Sequence, residues 1–259
     1  MKIYQGLEVF SENINRTFVY DLVFPPNYSK KQDYSLMVMN DGQDFEKLKM
    51  KSVLESFWKE TGKGFIFLGV HCNQDRLAEY GTAGVSDFKG RGAKAARYKS
   101  FLLEELIPHV AARYNLKEGG HAFCGFSLGG LSAFDIVWET PRVFDKVGVF
   151  SGALWWRSVD YGKTYNNNKH RIIHEKVKAG TYKANLKFWF ECGTEDEKSD
   201  RDKNGVIDSI DDTRDLIKEL MAKGYEPNKD ITYLEIEGGK HNQATWSKAM
   251  PHFLHWAFA

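Results

Sequence analysis

The chain has 259 residues, of which 42% are hydrophobic and 27% charged, which is typical of a globular protein rather than a disordered or fibrous one. Its 36 Lys and Arg residues nearly balance its 35 Asp and Glu residues, so neither nucleic acid nor a membrane surface is an expected partner, and small neutral molecules are. No linker, repeat or low-complexity tract divides the chain, which predicts one domain over residues 1–259.

The predicted elements begin with an extended segment at residues 8–24, which two prolines close and which indicates an antiparallel edge. From there apolar strands alternate with helices. The predicted strands are residues 35–39, 65–71, 120–126, 145–150, 186–192 and 231–236. The predicted helices are residues 49–60, 95–114, 128–139, 170–178, 212–223 and 244–257. This alternation indicates an α/β fold with a mostly parallel central sheet and helices on both of its faces.

A Gly-x-Ser-x-Gly motif occupies residues 125–129, where a predicted strand ends and a predicted helix begins. This context is that of a nucleophile elbow, which presents Ser127 on a sharp, strained turn. Gly125 and Gly129 lack the side chains that would keep the strand and the helix apart. A glycine-rich turn without chemistry is the alternative. The placement of the motif favours Ser127 as a nucleophile.

A nucleophilic serine needs a base and an acid, and after this motif the acid precedes the histidine in the chain. Of the eight histidines, His241 fits best, because it lies in a glycine-rich turn between the last strand and the last helix. The acid is expected just after the strand at residues 186–192. Asp196 is favoured there, because its short side chain follows a tight turn and can reach His241. Glu195 is the alternative acid, and Glu197 is expected to be solvated.

Two backbone N–H groups are expected to form an oxyanion hole for the developing negative charge. One belongs to Leu128, which follows the nucleophile at the start of a helix, where N–H groups are free. The other belongs to Gln43, in a loop after the strand at residues 35–39, where Gly42 permits the turn.

With these residues placed, the chain resembles the esterase family of α/β-hydrolases that includes enterochelin esterases, feruloyl esterases and mycolyltransferases. The resemblance is carried by residues 41–43, 76, 79–80, 98–114, 125–130, 151–156, 193–196 and 239–241. Its Ser-Gly-x-x-Trp-Trp segment is similar to that of enterochelin esterases and would place Trp155 and Trp156 beside an aromatic acyl or catecholate group. Packing of the two tryptophans as a hydrophobic wall is the alternative. Arg76 and Glu79 are expected to form a structural ion pair.

Residues 200–211 follow the EF-hand calcium-loop pattern, except that an aspartate ends the loop, as in dockerin loops. The expected oxygen ligands are Asp200, Asp202, Asn204, the Val206 carbonyl, Asp208 and Asp211. The alternative is a solvated acidic loop whose last residue caps the next helix. We favour a structural, non-catalytic Ca²⁺ that orders the nearby loop carrying Asp196.

Together these residues predict a serine carboxylic-ester hydrolase that needs no cofactor for catalysis and forms an acyl-enzyme with an aromatic or sugar-linked ester. An acyltransferase of the same fold and a non-catalytic module that binds a carbohydrate or another partner are the alternatives. Three cysteines do not indicate a disulfide framework, and neither a signal peptide nor a membrane helix is predicted. We therefore expect a cytoplasmic protein, or an exported one if a signal peptide was removed. No feature of the sequence indicates an oligomeric state.

Overall fold

A single sheet of eight strands forms the centre of the computed structural model, which describes residues 1–259. The strands are β1 (Lys2–Ser11), β2 (Arg16–Phe24), β3 (Leu36–Asn40), β4 (Ile66–Val70), β5 (His121–Phe126), β6 (Phe144–Phe150), β7 (Lys187–Gly193) and β8 (Ile231–Ile236). Their spatial order is β1-β2-β4-β3-β5-β6-β7-β8. The pairs β1–β2 and β2–β4 are antiparallel and every other pair is parallel, which confirms the predicted α/β fold and its antiparallel N-terminal edge.

Helices cover both faces of the sheet. They are α1 (Met50–Thr61), α2 (Arg76–Glu79), α3 (Ala95–Ser100), α4 (Ile107–Ala111), α5 (Leu128–Glu139), α6 (Asn167–His170), α7 (Ile172–Ala179), α8 (Asp208–Ala222) and α9 (Gln243–Phe258), with a 3₁₀ helix at Gly42–Asp44 and a π-helical segment at Phe101–Leu106. Met37 and Met39 of β3 pack with α1 and α9, whereas Leu36 and Val38 pack with α5 on the opposite face, as the alternation of a strand requires. None of the helices combines the length and the apolar character that crossing a membrane requires.

Three elements differ from their predicted form. The extended segment at residues 8–24 is a hairpin of β1 and β2, whose turn contains Asn15 at φ 61°. Its turn has no glycine or proline, and asparagine tolerates this left-handed conformation, so the turn was not visible in the pattern. The helix predicted at residues 95–114 contains the π-helical segment. Helix α8 starts one turn earlier than predicted, at Asp208.

The parallel arrangement brings the carboxyl ends of β3, β5, β6, β7 and β8 to the same edge of the sheet. In open α/β sheets this edge is where side chains from separate loops meet. The loops that follow these strands carry the predicted nucleophile, acid, histidine and oxyanion-hole residues.

Candidate active site

Ser127 lies on a sharp turn between β5 and α5. Its backbone has φ 54° and ψ −121°, a conformation that a residue with a side chain rarely adopts. The turn is held because Ser127 N donates to the Phe150 carbonyl (2.9 Å) and the Ser127 carbonyl accepts from Ala153 N (3.0 Å). A Cβ atom on Gly125 would overlap the carbonyl of Gly129, so this close approach of strand and helix requires a glycine.

A cavity of about 320 Å³ opens over Ser127. Its walls also include Asp196 and His241, which come from the loops after β7 and β8. The structure therefore brings the predicted nucleophile, acid and base to one cavity, although they are far apart in the sequence.

Asp196 and His241 face one another. Their Oδ2 and Nδ1 atoms are 3.9 Å apart, which is longer than a direct hydrogen bond, and the Asp196 side chain is fully buried while that of His241 is 41% exposed. Neither carboxyl oxygen of Asp196 has a hydrogen-bond partner. A buried carboxylate is costly without a partner, which favours its pairing with His241. Glu195 instead points outward, 59% exposed and 3.7 Å from Lys240.

The acid loop and the histidine loop are joined to each other. A Cβ atom on Gly193 would overlap the carbonyl of Gly239, so the two backbones are in contact. Hydrogen bonds from Thr194 N to the Ile236 carbonyl (3.0 Å) and from Glu195 N to the Gly239 carbonyl (2.8 Å) fasten them. This contact fixes the relative position of the two backbone segments that carry Asp196 and His241.

Trp246 packs against His241 and is itself hydrogen-bonded to Ser151, and sequence analysis assigned a role to neither. The Trp246 ring meets the His241 ring edge to face at 5.2 Å, and its Nε1 donates to Ser151 Oγ at 2.9 Å. Ser151 adopts φ 44°, and its N–H donates to the Glu191 carbonyl at 2.8 Å. The signal in the sequence for Trp246 was its position in the first turn of the predicted last helix, five residues after His241.

The two predicted oxyanion donors lie where backbone N–H groups are free. Leu128 is the first residue of α5 and Gln43 is the second residue of the 3₁₀ helix, so neither N–H has an acceptor within its own helix. The Gln43 side chain is held by Cys72, whose Sγ accepts from Nε2 (3.1 Å) and whose N–H donates to Oε1 (3.1 Å). Burial, with Asp41 nearby, raises the pKa of the Cys72 thiol to about 12, so the thiol stays protonated.

Arg76 anchors the oxyanion loop instead of pairing with Glu79 as expected. Its Nε and Nη2 each donate to the Asp41 carboxylate at 2.7 Å, a bidentate pair. Nη2 also lies 3.4 Å from the carbonyl of Phe126, the residue before the nucleophile. Glu79 is paired with Arg16 of β2 at 2.7 Å, so the expected Arg76–Glu79 pair is wrong.

The two adjacent tryptophans have different surroundings. Trp155 lines the cavity over Ser127 and is partly exposed, as expected for a residue that contacts a substrate. Trp156 is fully buried and packs against Gly81 and Gly92, where a Cβ atom would lie 3.0 and 3.2 Å from its ring. The substrate-binding role predicted for the pair therefore rests on Trp155, whereas Trp156 packs as a wall.

The predicted calcium loop is only partly assembled. The Asn204 amide donates to Asp202 Oδ2 (3.3 Å) and to Asp211 Oδ2 (2.7 Å), and Asp200 accepts from the Asn204 N–H (3.1 Å). Asp208 does not join these residues. It is buried at the start of α8, where Oδ1 accepts from the N–H of Arg201 (2.9 Å). No group of three or more His, Cys, Asp or Glu side chains in the chain is arranged to hold a metal ion.

Glu191 is a buried acid behind the site that sequence analysis also missed. It lies on β7 with no exposed surface, and neither carboxyl oxygen has a hydrogen-bond partner. Burial, with Asp196 nearby, raises the pKa of Glu191 to about 8, so the side chain is mostly protonated at neutral pH. A single glutamate within an otherwise apolar strand was the available signal.

Replacing Glu191 by glutamine is expected to stabilise the protein more at about pH 9 than at about pH 5. The folded pKa of about 8 lies above the ordinary 4.5, so wild type loses free energy of unfolding as the pH rises between these values. The variant avoids this loss. Urea unfolding should show a pH-dependent difference above about 1.4 kcal/mol, the equivalent of one pKa unit. Glu195→Gln is the exposed control, and an equal effect of Glu191→Gln at both pH values would contradict the prediction.

A family model, a curated relative and several solved structures are similar to this chain. A family model described as "Putative esterase" matches residues 11–257. The uncharacterized protein YbbA of Bacillus subtilis (strain 168) is 25% identical over 252 residues, covering 94% of this chain and 93% of YbbA. The enterobactin esterase FES from Shigella flexneri superposes with a TM-score of 0.75 at 17% identity, and the match spans 99% of this chain but only 59% of FES. A ferulic acid esterase superposes with a TM-score of 0.72 at 14% identity, covering 99% and 97% of the two chains.

Proposed function

The chain belongs to this esterase family and has the α/β-hydrolase fold, and from that premise we propose that it hydrolyses carboxylic esters with Ser127 as the nucleophile. The observation that carries the proposal is the shared cavity of Ser127, His241 and Asp196 over a strained elbow. Asp196 is the proposed acid because it is buried and faces His241, whereas Glu195 points into solvent.

The reaction would proceed in two steps. His241 takes the proton of the Ser127 hydroxyl as Oγ attacks the ester carbonyl, and the N–H groups of Gln43 and Leu128 stabilise the oxyanion. The intermediate collapses, His241 gives its proton to the leaving alcohol, and the acyl group stays on Ser127. Water then gives a proton to His241 and attacks the acyl-enzyme, which releases the carboxylic acid and returns the proton to Ser127. Asp196, on the Nδ1 side of the ring, holds the imidazole tautomer and stabilises the imidazolium.

We propose an aromatic or sugar-linked ester as the substrate. Trp155 supplies an aromatic wall next to Ser127. An enterobactin esterase and a ferulic acid esterase are among the proteins that share the fold, and the name of the second indicates an ester of ferulic acid, which is aromatic. The substrate proposed for this chain therefore rests on the aromatic wall that Trp155 forms and on the substrates named for these two structural neighbours.

Hydrolysis of p-nitrophenyl acetate by the wild-type protein tests the function. Turnover that releases acetate and p-nitrophenol in equal amounts supports a hydrolase. Adding an alcohol such as methanol separates the acyltransferase alternative, because a transferase would form mainly the new ester. Absence of turnover above the spontaneous rate would contradict an esterase and favour a binding module.

We also propose a structural Ca²⁺ in the loop at residues 200–211. Asp200, Asp202 and Asp211 each accept a hydrogen bond from Asn204, so oxygen ligands of the hard kind that calcium prefers lie around this residue. The Val206 carbonyl is the proposed backbone ligand. Asp208, which accepts a hydrogen bond from the N–H of Arg201, is not among the ligands we propose. The ion would take no part in the reaction, and it would order the loop that follows Asp196.

Millimolar Ca²⁺ is expected to raise the Tm of the wild-type protein, and EDTA is expected to reverse the effect. Binding to the folded state alone raises the Tm by about 2–4 °C for each kcal/mol of binding free energy in a chain of this size. Asp202→Ser should abolish the shift, because it removes a ligand, whereas the exposed Asp33→Ser should retain it. A Tm that responds to neither Ca²⁺ nor EDTA would remove the calcium proposal.

A further inference from the structure

Trp246 links the proposed base to two other parts of the active site. Its ring stacks on Phe126, the residue before the nucleophile, with the ring centroids 5.0 Å apart, and it meets the His241 ring edge to face at 5.2 Å. Its Nε1 donates to Ser151 Oγ at 2.9 Å, and both partners are buried. We propose that Ser151 and Trp246 are positioning residues that hold the His241 ring in the orientation needed to take the proton of Ser127. This inference rests on the proposed esterase function and names the residues that orient its base.

Asp196 alone does not fix the His241 ring. The distance of 3.9 Å between Oδ2 and Nδ1 is too long for a direct hydrogen bond, and the His241 side chain is 41% exposed. The backbone on either side is held, because Lys240 N donates to Thr245 Oγ1 (2.8 Å) and Thr245 N donates to Asn242 Oδ1 (3.1 Å). These bonds fix where the side chain begins but leave its rotamer open. The ring therefore needs an orienting contact of its own, which the indole ring supplies.

Ser151 has a backbone conformation that a serine rarely adopts. Its φ is 44°, in the left-handed region that glycine adopts without steric cost. Its N–H donates to the Glu191 carbonyl of β7 at 2.8 Å, and a glycine could form this backbone bond as well. What a glycine lacks is the hydroxyl group, and this hydroxyl accepts the indole N–H. A serine on this strained turn therefore points to the bond with Trp246 as the use of its side chain.

The Trp246 ring is itself held before it contacts the histidine. The stack on Phe126 ties the ring to the elbow, and the bond to Ser151 ties it to the turn after β6. A buried N–H favours the ring orientation in which it has an acceptor, because any other orientation leaves it unpaired. The surface against which His241 packs is therefore fixed as well.

Replacing Trp246 by phenylalanine is expected to lower kcat for p-nitrophenyl acetate by about tenfold, while KM changes by less than about twofold. Phenylalanine keeps an aromatic ring but has no N–H for Ser151. Trp246 does not line the catalytic cavity, so substrate binding should be little affected. Ser151→Gly removes the other partner of the bond and should lower kcat by a similar factor. The double variant should lose no more than about tenfold, because both changes break the same bond.

Trp256→Phe is the matched control for these variants. Trp256 lies in the same helix, α9, where it packs beside Phe253 with the ring centroids 5.9 Å apart, and it does not line the catalytic cavity. Its variant should keep the wild-type kcat. Wild-type kcat in both Trp246→Phe and Ser151→Gly, additive losses in the double variant, or an equal loss in Trp256→Phe would overturn the proposal.

NMR relaxation of the His241 ring separates failure of this proposal from failure of the esterase function. The protein is labelled with ¹³C in its histidine rings, and the His241 signal is identified by its loss in His241→Gln. The order parameter of this ring is expected to fall in Trp246→Phe and in Ser151→Gly and to stay unchanged in Trp256→Phe. If wild type hydrolyses esters no faster than Ser127→Ala, the esterase function fails, and the order parameter alone decides the positioning role. An order parameter that keeps its wild-type value in both variants would overturn that role.

Discussion

Replacing Ser127 by alanine is expected to lower kcat/KM for p-nitrophenyl acetate by about 10⁴-fold or more. The variant keeps the cavity, the oxyanion donors and His241, so what it loses is the attacking oxygen and the covalent intermediate. Alanine has less bulk than serine on the strained turn, so the fold should persist. The rates should be measured after subtraction of spontaneous hydrolysis.

Ser132→Ala is the matched control for this change. Ser132 is buried in the same helix that follows the elbow but does not line the catalytic cavity. Its variant should retain kcat/KM within about twofold of wild type, since the Ser132 side chain does not line the cavity in which the reaction would occur. Equal turnover by wild type and Ser127→Ala would show that ester cleavage occurs elsewhere.

Replacing Arg76 by methionine is expected to lower kcat by about 100-fold with little change in KM. Arg76 holds the Asp41 carboxylate through two 2.7 Å hydrogen bonds, and Asp41 is the residue that begins the turn to Gln43. Without the guanidinium, the buried Asp41 carboxylate loses its ion-pair partner, and we expect the turn to shift. The Gln43 N–H then no longer meets the oxyanion, which forms only in the transition state, so kcat falls rather than affinity.

Arg16→Met separates this effect on catalysis from a loss of stability. Arg16 forms a comparable pair with Glu79, whose side chain is fully buried, but it lies away from the oxyanion loop. Each variant should lower the free energy of unfolding by about 3 kcal/mol, because each leaves a buried carboxylate unpaired. Only Arg76→Met should lower kcat. Unchanged kcat in Arg76→Met, or an equal loss in Arg16→Met, would contradict a positioning role.

The part of the molecule that the sequence predicts well is the part whose determinants are local. Strand β5, Ser127 and α5 are specified within about twenty residues by apolar runs and paired glycines, and α5 has the predicted bounds. The fold class followed from the same alternation of strands and helices. His241 could be chosen because chain order and a glycine-rich turn limit the candidates. Each of these features can be predicted without knowing which distant segments of the chain come into contact.

What the sequence could not predict is which partners the folded chain selects. Arg76 lies three residues from Glu79 in the sequence, but in the fold it forms its ion pair with Asp41. Glu79 pairs with Arg16 instead. Likewise, the sequence does not distinguish the adjacent Trp155 and Trp156. In the fold, the Trp155 ring faces the cavity and the Trp156 ring faces the core. Such choices depend on tertiary packing, which composition and periodicity do not encode.

Glu191 illustrates a third situation, in which a signal was present but ambiguous. A glutamate in an apolar strand can point to solvent at a sheet edge or be enclosed in the interior. Only the position of β7 between β6 and β8 shows that it is enclosed.

The contact between Gly193 and Gly239 has a consequence for protein engineering. Because the two loop backbones touch and share hydrogen bonds, residues 193–196 and 236–241 form one exchangeable cassette. In a chimera that takes the acid loop from a relative and keeps the native histidine loop, the two loop backbones would no longer fit each other at this contact. Grafts and directed libraries should therefore vary the two loops together, whereas the elbow can be kept as a constant scaffold.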